Sequence, residues 1–175
     1  MVKITLFIIL ICIGFTAYSQ EIPKESSQIK SNQRFKSEKQ ISFRAGAGIQ
    51  KSIYTEIGVA LHKCNYSDVG FFSNDFYSAF EWIPNRKQPL YGIKFGYEAN
   101  SSMLLLNLGL ELEYQTDFKE NDLVITPKVG LGIFGDANMF YGYNISTQNN
   151  PFKEIIGYHQ LSIVFNFNNH FLSYQ

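Results

Sequence analysis

The sequence has few cysteines, no surplus of charge of either sign and no long apolar run beyond its first residues. Its 175 residues include two cysteines, Cys12 and Cys64. Cys12 lies in an N-terminal stretch that we expect to be removed, so Cys64 would stand alone and no intrachain disulfide is expected. Cys64 lies at a predicted strand end beside Asn65, with His62 as the only nearby histidine on the same strand face. A packed or unreactive role is favoured over a nucleophilic one. Lysine plus arginine and aspartate plus glutamate number 15 each, which excludes the basic footprint typical of nucleic-acid binding.

Charged residues are scarce, whereas aromatic residues are abundant. Charged residues make up 17% of the chain, below the usual level of about 25%. Aromatic residues make up 16%, with 16 phenylalanines and 11 tyrosines, while hydrophobic residues are only 45%. Beyond the N-terminus the longest apolar run, residues 103–106, ends at Asn107 and is far shorter than the ~20 residues of a membrane helix. This composition indicates either an all-β soluble domain or a β-barrel that alternates apolar and polar residues.

The N-terminus has the features of an export signal. Lys3 precedes an apolar run over residues 4–15, and Ala17 and Ser19 fit the small-residue pattern of a cleavage site. We therefore predict a signal peptide over residues 1–19, with Gln20 as the first mature residue. An uncleaved anchor is the alternative.

The segment 20–40 is polar and rich in Ser, Gln and Lys. Such a segment buries too little apolar surface to offset the entropy lost on ordering. We predict a flexible, disordered arm. Its charge of about +2 also allows contact with the periplasmic wall or an anionic lipid surface.

From residue 41 onward, apolar and polar residues alternate with a period of two. This period is typical of strands with one apolar face. The fifth strand is the clearest, because a helix would scatter its leucines around the circumference. Its predicted outward ladder is Leu104, Leu106, Leu108, Leu110, Leu112 and Tyr114. Eight strands are predicted, at 41–50, 53–62, 70–82, 90–98, 103–114, 123–134, 139–146 and 161–167. Pro127 weakens the sixth, because proline removes a ladder donor.

The connections between these strands are expected to alternate in length. With a periplasmic N-terminus, Asn100-Ser101 and Gly135-Asp136 would form short periplasmic turns. The segments 115–121 and 147–154 would form longer external loops, as in outer-membrane barrels. The short external turn at Lys51-Ser52 and the long connection at 64–69 depart from this trend.

The polar face decides between a soluble and a membrane barrel. It is rich in glycine, which suits a narrow lumen better than a water-facing sheet. It also carries charges of both signs, which must pair if they are buried. The lumen ion-pair candidates are Arg44, Glu56, Lys94, Glu98, Glu111, Glu113 and Lys128. The sequence therefore predicts an all-β fold: an eight-stranded antiparallel up-and-down transmembrane β-barrel over residues 41–171, preceded by the signal peptide and the disordered arm. A soluble lipocalin-like exported barrel is the alternative.

Pairing of these charges has a measurable consequence. Glu111→Ala or Lys128→Ala is expected to lower the unfolding temperature, because each leaves an opposite charge uncompensated in the lumen. Thermal unfolding of the two variants beside the parent chain measures the effect. Unchanged stability in either variant would contradict a lumen plugged by ion pairs.

Four stretches carry a resemblance to a known group of proteins. They are FRAGAGIQ at 43–50, TPKVGLGIFG at 126–135, MFYGYN at 139–144 and QLSIVFNFNNHF at 160–171. Over most of 41–171 the chain resembles the small eight-stranded outer-membrane β-barrels of Gram-negative bacteria, in particular an uncharacterised group whose signal ends in a Ser-Gln junction. The resemblance implies the fold, the outer membrane as location, and outer-membrane lipid and the barrel-assembly machinery as partners. It implies no catalytic residue. A terminal aromatic residue is a common assembly signal in such proteins, but here Phe171 is followed by LSYQ.

The motifs of common enzyme classes are missing from the sequence. It contains no HExxH, CxxC, P-loop or GxSxG pattern, so neither an enzymatic role nor a cofactor or metal is predicted. His159 and Ser162 are three apart on a strand and do not share a face. Asp117, Glu120 and Asp122 could hold Ca²⁺ weakly, but a solvated acidic loop is favoured.

Two functional hypotheses follow from these features. The first is a non-enzymatic outer-membrane barrel with a side-chain-filled lumen, which has a structural or interaction role through its external loops. The second is an exported barrel that binds a lipid or a small ligand and that acts on envelope lipid if it is an enzyme. The sequence names no extracellular partner.

Overall fold

A computed structural model of the chain describes residues 36–67, 70–85, 89–101, 106–148, 150–169 and 171–172. The expected signal peptide, most of the arm and the predicted ladder residue Leu104 lie outside the described residues. In the part of the chain that is described, no helix has the length and apolar character needed to cross a membrane.

The described chain is all β, and its strands follow one another in antiparallel order. The strands are β1 (Lys36–Ile49), β2 (Ile53–Ser67), β3 (Gly70–Ile83), β4 (Leu90–Ser101), β5 (Leu106–Thr116), β6 (Asn121–Ile133), β7 (Ala137–Tyr143), β8 (Ile145–Ser146) and β9 (His159–Phe167). Each strand from β1 to β6 pairs with the next, β6 pairs with β7, and β7 pairs with β9. Pairing of β9 with β1 closes the ring. Because β8 continues the line of β7 along β6, the result is the predicted closed, eight-stranded antiparallel barrel.

The interruption between β7 and β8 lies opposite the proline of β6. Lys128 pairs with Gly142 below the interruption and Ile125 pairs with Ile145 above it, which leaves Pro127 in the gap. Since proline has no backbone N–H to donate, the ladder loses little by breaking there. Asn144 instead donates its backbone N–H to the carbonyl of Tyr158 at 2.7 Å. Pro127 therefore leaves β6 continuous and marks the point at which its neighbour splits.

Several strand ends differ from the predicted ones. β1 begins at Lys36, within the segment assigned to the arm, because Lys36–Ile49 finds a complete antiparallel partner in β2. β2 continues to Ser67, which pairs with Gly70 at the start of β3, so the long connection predicted at 64–69 is wrong. Asn100 and Ser101 pair with β5 and belong to β4, so the turn predicted there is also wrong. The Gly135-Asp136 turn is confirmed, with Gly135 at φ 80°.

The two faces of the wall have opposite chemistry. Outward positions carry apolar and aromatic side chains, and the leucine ladder from Leu106 to Leu112 is exposed along its length. Inward positions carry charged, amide and glycine residues, of which Arg44, Lys94 and Glu98 are fully buried. The charged strand side chains therefore lie mainly inside the barrel, and the outer face is mainly apolar.

Candidate functional site

The barrel interior is filled with side chains in three layers. The apolar cap lies at the end where β1 meets β2 and consists of Tyr54, Ile83, Leu90, Phe152, Ile155 and Ile156. The ion-pair layer lies in the middle and consists of Arg44, Glu56, Glu81, Lys94, Glu98, Glu111 and Lys128. The amide layer lies at the opposite end and consists of His62, Asp75, Asn100, Asn107, Asn138 and Asn166.

Arg44 is the most extensively bonded member of the ion-pair layer. Its Nε donates to Glu56 Oε1 at 3.0 Å. Its Nη2 donates to Glu98 Oε1 at 2.8 Å and its Nη1 donates to Glu98 Oε2 at 3.1 Å. The guanidinium carbon also lies 3.6 Å from the centroid of the Tyr77 ring. A bidentate carboxylate contact combined with stacking is a geometry that lysine cannot reproduce.

Lys128 connects β6 to side chains on β3, β4 and β5. Its Nζ donates to Glu98 Oε1 at 2.9 Å, to Glu111 Oε2 at 3.0 Å and to the Tyr77 hydroxyl at 2.7 Å. All three ammonium protons therefore have acceptors, which satisfies the requirement for burying the charge.

Lys94 is the third cation of this layer. Its Nζ lies 3.1 Å from Glu56 Oε2 and 3.4 Å from Glu111 Oε1. It also forms a close ion pair with Glu81, a residue that was not among the predicted lumen candidates. The sequence contained a signal for it, because Phe80 and Trp82 face outward and the residue between them must then face inward.

All the predicted lumen candidates are buried, and all of them except Glu113 join one network. Glu113 lies at the edge of this network, without an ion pair among the residues that are described. With Glu81 and Glu113 included, acidic groups outnumber basic ones in the lumen. Each cation of the network pairs with at least two carboxylates, and together these pairs connect β1 to β6 through the lumen.

Two glycines make room for the rings of Tyr54 in the apolar cap and Tyr77 beside the ion-pair layer. A Cβ at Gly48 would lie 2.4 Å from Cζ of Tyr54, and a Cβ at Gly96 would lie 2.3 Å from Cζ of Tyr77. Each ring therefore lies flat against a bare stretch of backbone. The glycine-rich face predicted from the sequence thus has a steric cause in the rings that it receives.

The apolar cap is formed largely by the connection 147–158. Phe152, Ile155 and Ile156 of this segment are buried against Tyr54 and the ends of β3 and β4. Lys51 donates to the backbone carbonyl of Lys153. The connection predicted as a longer external loop at 147–154 therefore places these side chains inside the barrel and closes its mouth.

The amide layer closes the other end. His62 Nδ1 bonds Asp75, and Asn100 donates to the same carboxylate at 2.8 Å. The neighbouring thiol of Cys64 is fully buried. At the 134–136 turn, Asn166 donates to the carbonyl of Gly135 at 2.8 Å. Both mouths of the barrel are thus occupied by the chain itself.

The remaining chemical candidates are not assembled into a site. His159 is exposed on the outer face and bonds the Tyr141 hydroxyl at 2.6 Å, whereas Ser162 faces inward. Asp117 Oδ1 accepts the backbone N–H groups of Lys119 and Glu120 and so stabilises its own turn.

Asp122 departs from the predicted acidic loop. It lies within β6 and is buried. Within the described ranges, no group of three His, Cys, Asp or Glu residues is placed to hold a metal ion.

Comparison of the chain with family models, with curated proteins and with solved structures finds no match in any of the three.

Proposed function

We propose that the chain is a non-enzymatic β-barrel protein of the bacterial cell outer membrane. The observation that carries this proposal is the placement of charge. Among the described side chains at outward strand positions, only Lys39 and Lys63 are charged, and both lie near the end of the barrel where β1 begins. The strand carboxylates, by contrast, lie on the inward face.

An outer surface of this kind suits lipid and not water. The outward apolar side chains form a continuous band around the ring, from Phe43 on β1 to Phe167 on β9. Soluble monomers rarely expose an apolar patch of more than a few hundred Å². In a membrane barrel the same band meets the hydrocarbon region, and tyrosines such as Tyr114 and Tyr143 lie at its upper edge, the usual position of an aromatic girdle.

The filled interior supports a structural or interaction role over transport. An eight-stranded barrel has room for side chains and little more, and here the apolar cap and the amide layer occupy both mouths. The alternative function, an exported barrel with an apolar ligand cavity, would need the leucine ladder to face inward, and the ladder faces outward.

The external loops offer a small contact surface under this proposal. The connection 147–158 contributes three buried side chains to the apolar cap. The hairpin at 117–120, by contrast, is exposed to solvent at residues 118–120. Its Phe118 is 82% exposed and has a φ of 69°. We propose this hairpin as the first segment to examine for binding to an extracellular partner.

The proposal is tested by membrane fractionation together with gel mobility. We expect the protein in the outer-membrane fraction, with a band in SDS that shifts on boiling, because a closed barrel held by buried ion pairs resists SDS until it is heated. Parallel samples kept unboiled and boiled provide the comparison. Recovery as a soluble periplasmic protein with no heat shift would contradict the proposal.

A further inference from the structure

The only two outward-facing charges of the described strands lie directly opposite each other. Lys39 of β1 and Lys63 of β2 are partners in the antiparallel register, and both are exposed. Directly opposed side chains have Cβ atoms about 4.5–5.5 Å apart, and like charges at such positions repel. Among the described residues neither lysine forms an ion pair, so two positive charges lie side by side on this part of the outer surface.

An apolar groove begins at these two lysines. It has a volume of about 530 Å³ and is lined on its apolar side by Ile41, Leu61, Phe76 and Tyr97. Ile41 is 75% exposed. The Tyr97 hydroxyl donates to Asn74 Oδ1 at 2.8 Å, which fixes the ring along one wall of the groove. These four residues are register partners on neighbouring strands, so the groove runs across β1 to β4, directly beside the two lysines.

We propose that this surface, formed by Lys39, Lys63 and the groove below them, binds one anionic glycerophospholipid. The two ammonium groups hold the phosphate, and an acyl chain lies in the groove. The site rests on the proposed membrane location and adds to it a preference for one lipid class. With the N-terminus in the periplasm, it faces the inner leaflet.

The chemistry of the surface favours this occupant over a protein partner. Lysine stems cover apolar surface while their charged ends reach the interface, and each lysine near an anionic membrane surface contributes about 1 kcal/mol of attraction. The next outward position beyond Lys63 on β3 is the neutral Asn74. A single lipid joins both halves of the surface, since it carries the charge and the hydrocarbon in one molecule.

The experiment is native mass spectrometry of the full folded chain in detergent, with equimolar phosphatidylglycerol and phosphatidylcholine added. We expect phosphatidylglycerol adducts to dominate. The double variant Lys39→Gln/Lys63→Gln is expected to reduce this preference roughly tenfold or more. Lys119→Gln/Lys153→Gln removes the same charge from exposed positions at the other end and should leave the preference unchanged. Lys39→Arg/Lys63→Arg should retain it.

A preference in Lys39→Gln/Lys63→Gln equal to that of the parent chain would overturn the site. Should that variant fold poorly, the parent chain provides a second measurement, because raising the salt concentration to about 1 M shortens the screening length to about 3 Å. A preference for phosphatidylglycerol that survives such salt would also overturn the site. The heat-shift measurement separates the two proposals: a parent chain that shifts on boiling and shows no lipid preference contradicts the lipid site alone.

Discussion

Replacing Arg44 with methionine is expected to lower the free energy of unfolding by about 3–5 kcal/mol, the range found when one partner of a buried ion pair is removed. Arg44 is fully buried and holds both oxygens of Glu98 as well as one oxygen of Glu56. Methionine fills part of the volume but leaves both carboxylates short of a cation. Urea titration of the barrel folded in vesicles, followed by the fluorescence of the single tryptophan, Trp82, measures the loss.

The control for this experiment is Lys119→Met, which removes a positive charge from the exposed 117–120 hairpin. Substitutions at such surface positions change stability by about 0.5 kcal/mol or less. The triple variant Arg44→Met/Glu56→Gln/Glu98→Gln should recover part of the loss, because it removes the stranded charges along with their partner. An Arg44→Met loss no larger than that of the control would show that the ion-pair layer does not stabilise the barrel.

Leu110→Arg is expected to destabilise the membrane-inserted barrel by about 2–4 kcal/mol. Leu110 lies near the middle of β5, faces outward and is 56% exposed. If this face meets the centre of a bilayer, the arginine must be accommodated in hydrocarbon. If the face meets water instead, replacing an exposed leucine should change stability by about 0.5 kcal/mol or less. Urea titration in vesicles separates these two outcomes.

The matched control for Leu110→Arg is Leu106→Arg. Leu106 lies on the same face of the same strand, but at its end. The cost of arginine on a lipid-facing position falls to about 0–1 kcal/mol near the interface. Equal and small losses at both positions would contradict a membrane-embedded outer face.

The fold and the direction of its faces could be predicted because one rule governs them. Side chains in a strand alternate strictly, so the outward run of Leu106, Leu108 and Leu110 fixes the inward position of Glu111. The same rule placed Arg44 and Lys128 on the inner face. The partners of each charge could not be predicted, because pairing across the lumen depends on the stagger between strands in the closed ring. The two-residue alternation carries no information about that stagger.

Other features were beyond the reach of periodicity. Glu81 was not among the predicted lumen residues, although strand alternation puts it inside once Phe80 and Trp82 face outward. The burial of Phe152 could not be predicted from hydrophobic periodicity, because the connection 147–158 is neither strand nor helix. The early start of β1 was obscured by composition: the residues from Lys36 to Gln40 are polar, and they join the sheet through backbone pairing with β2.

The transverse direction of the ion pairs has a consequence for how fast the barrel opens. Arg44 and Glu98 are separated by 54 residues along the chain, and Lys128 and Glu98 by 30. Such contacts become available only after several neighbouring strands have been assembled, because long loops must close before distant groups meet. Interactions formed after the folding transition state act mainly on the unfolding rate. Removal of the lumen charges should therefore raise the unfolding rate of the closed barrel and leave its folding rate nearly unchanged.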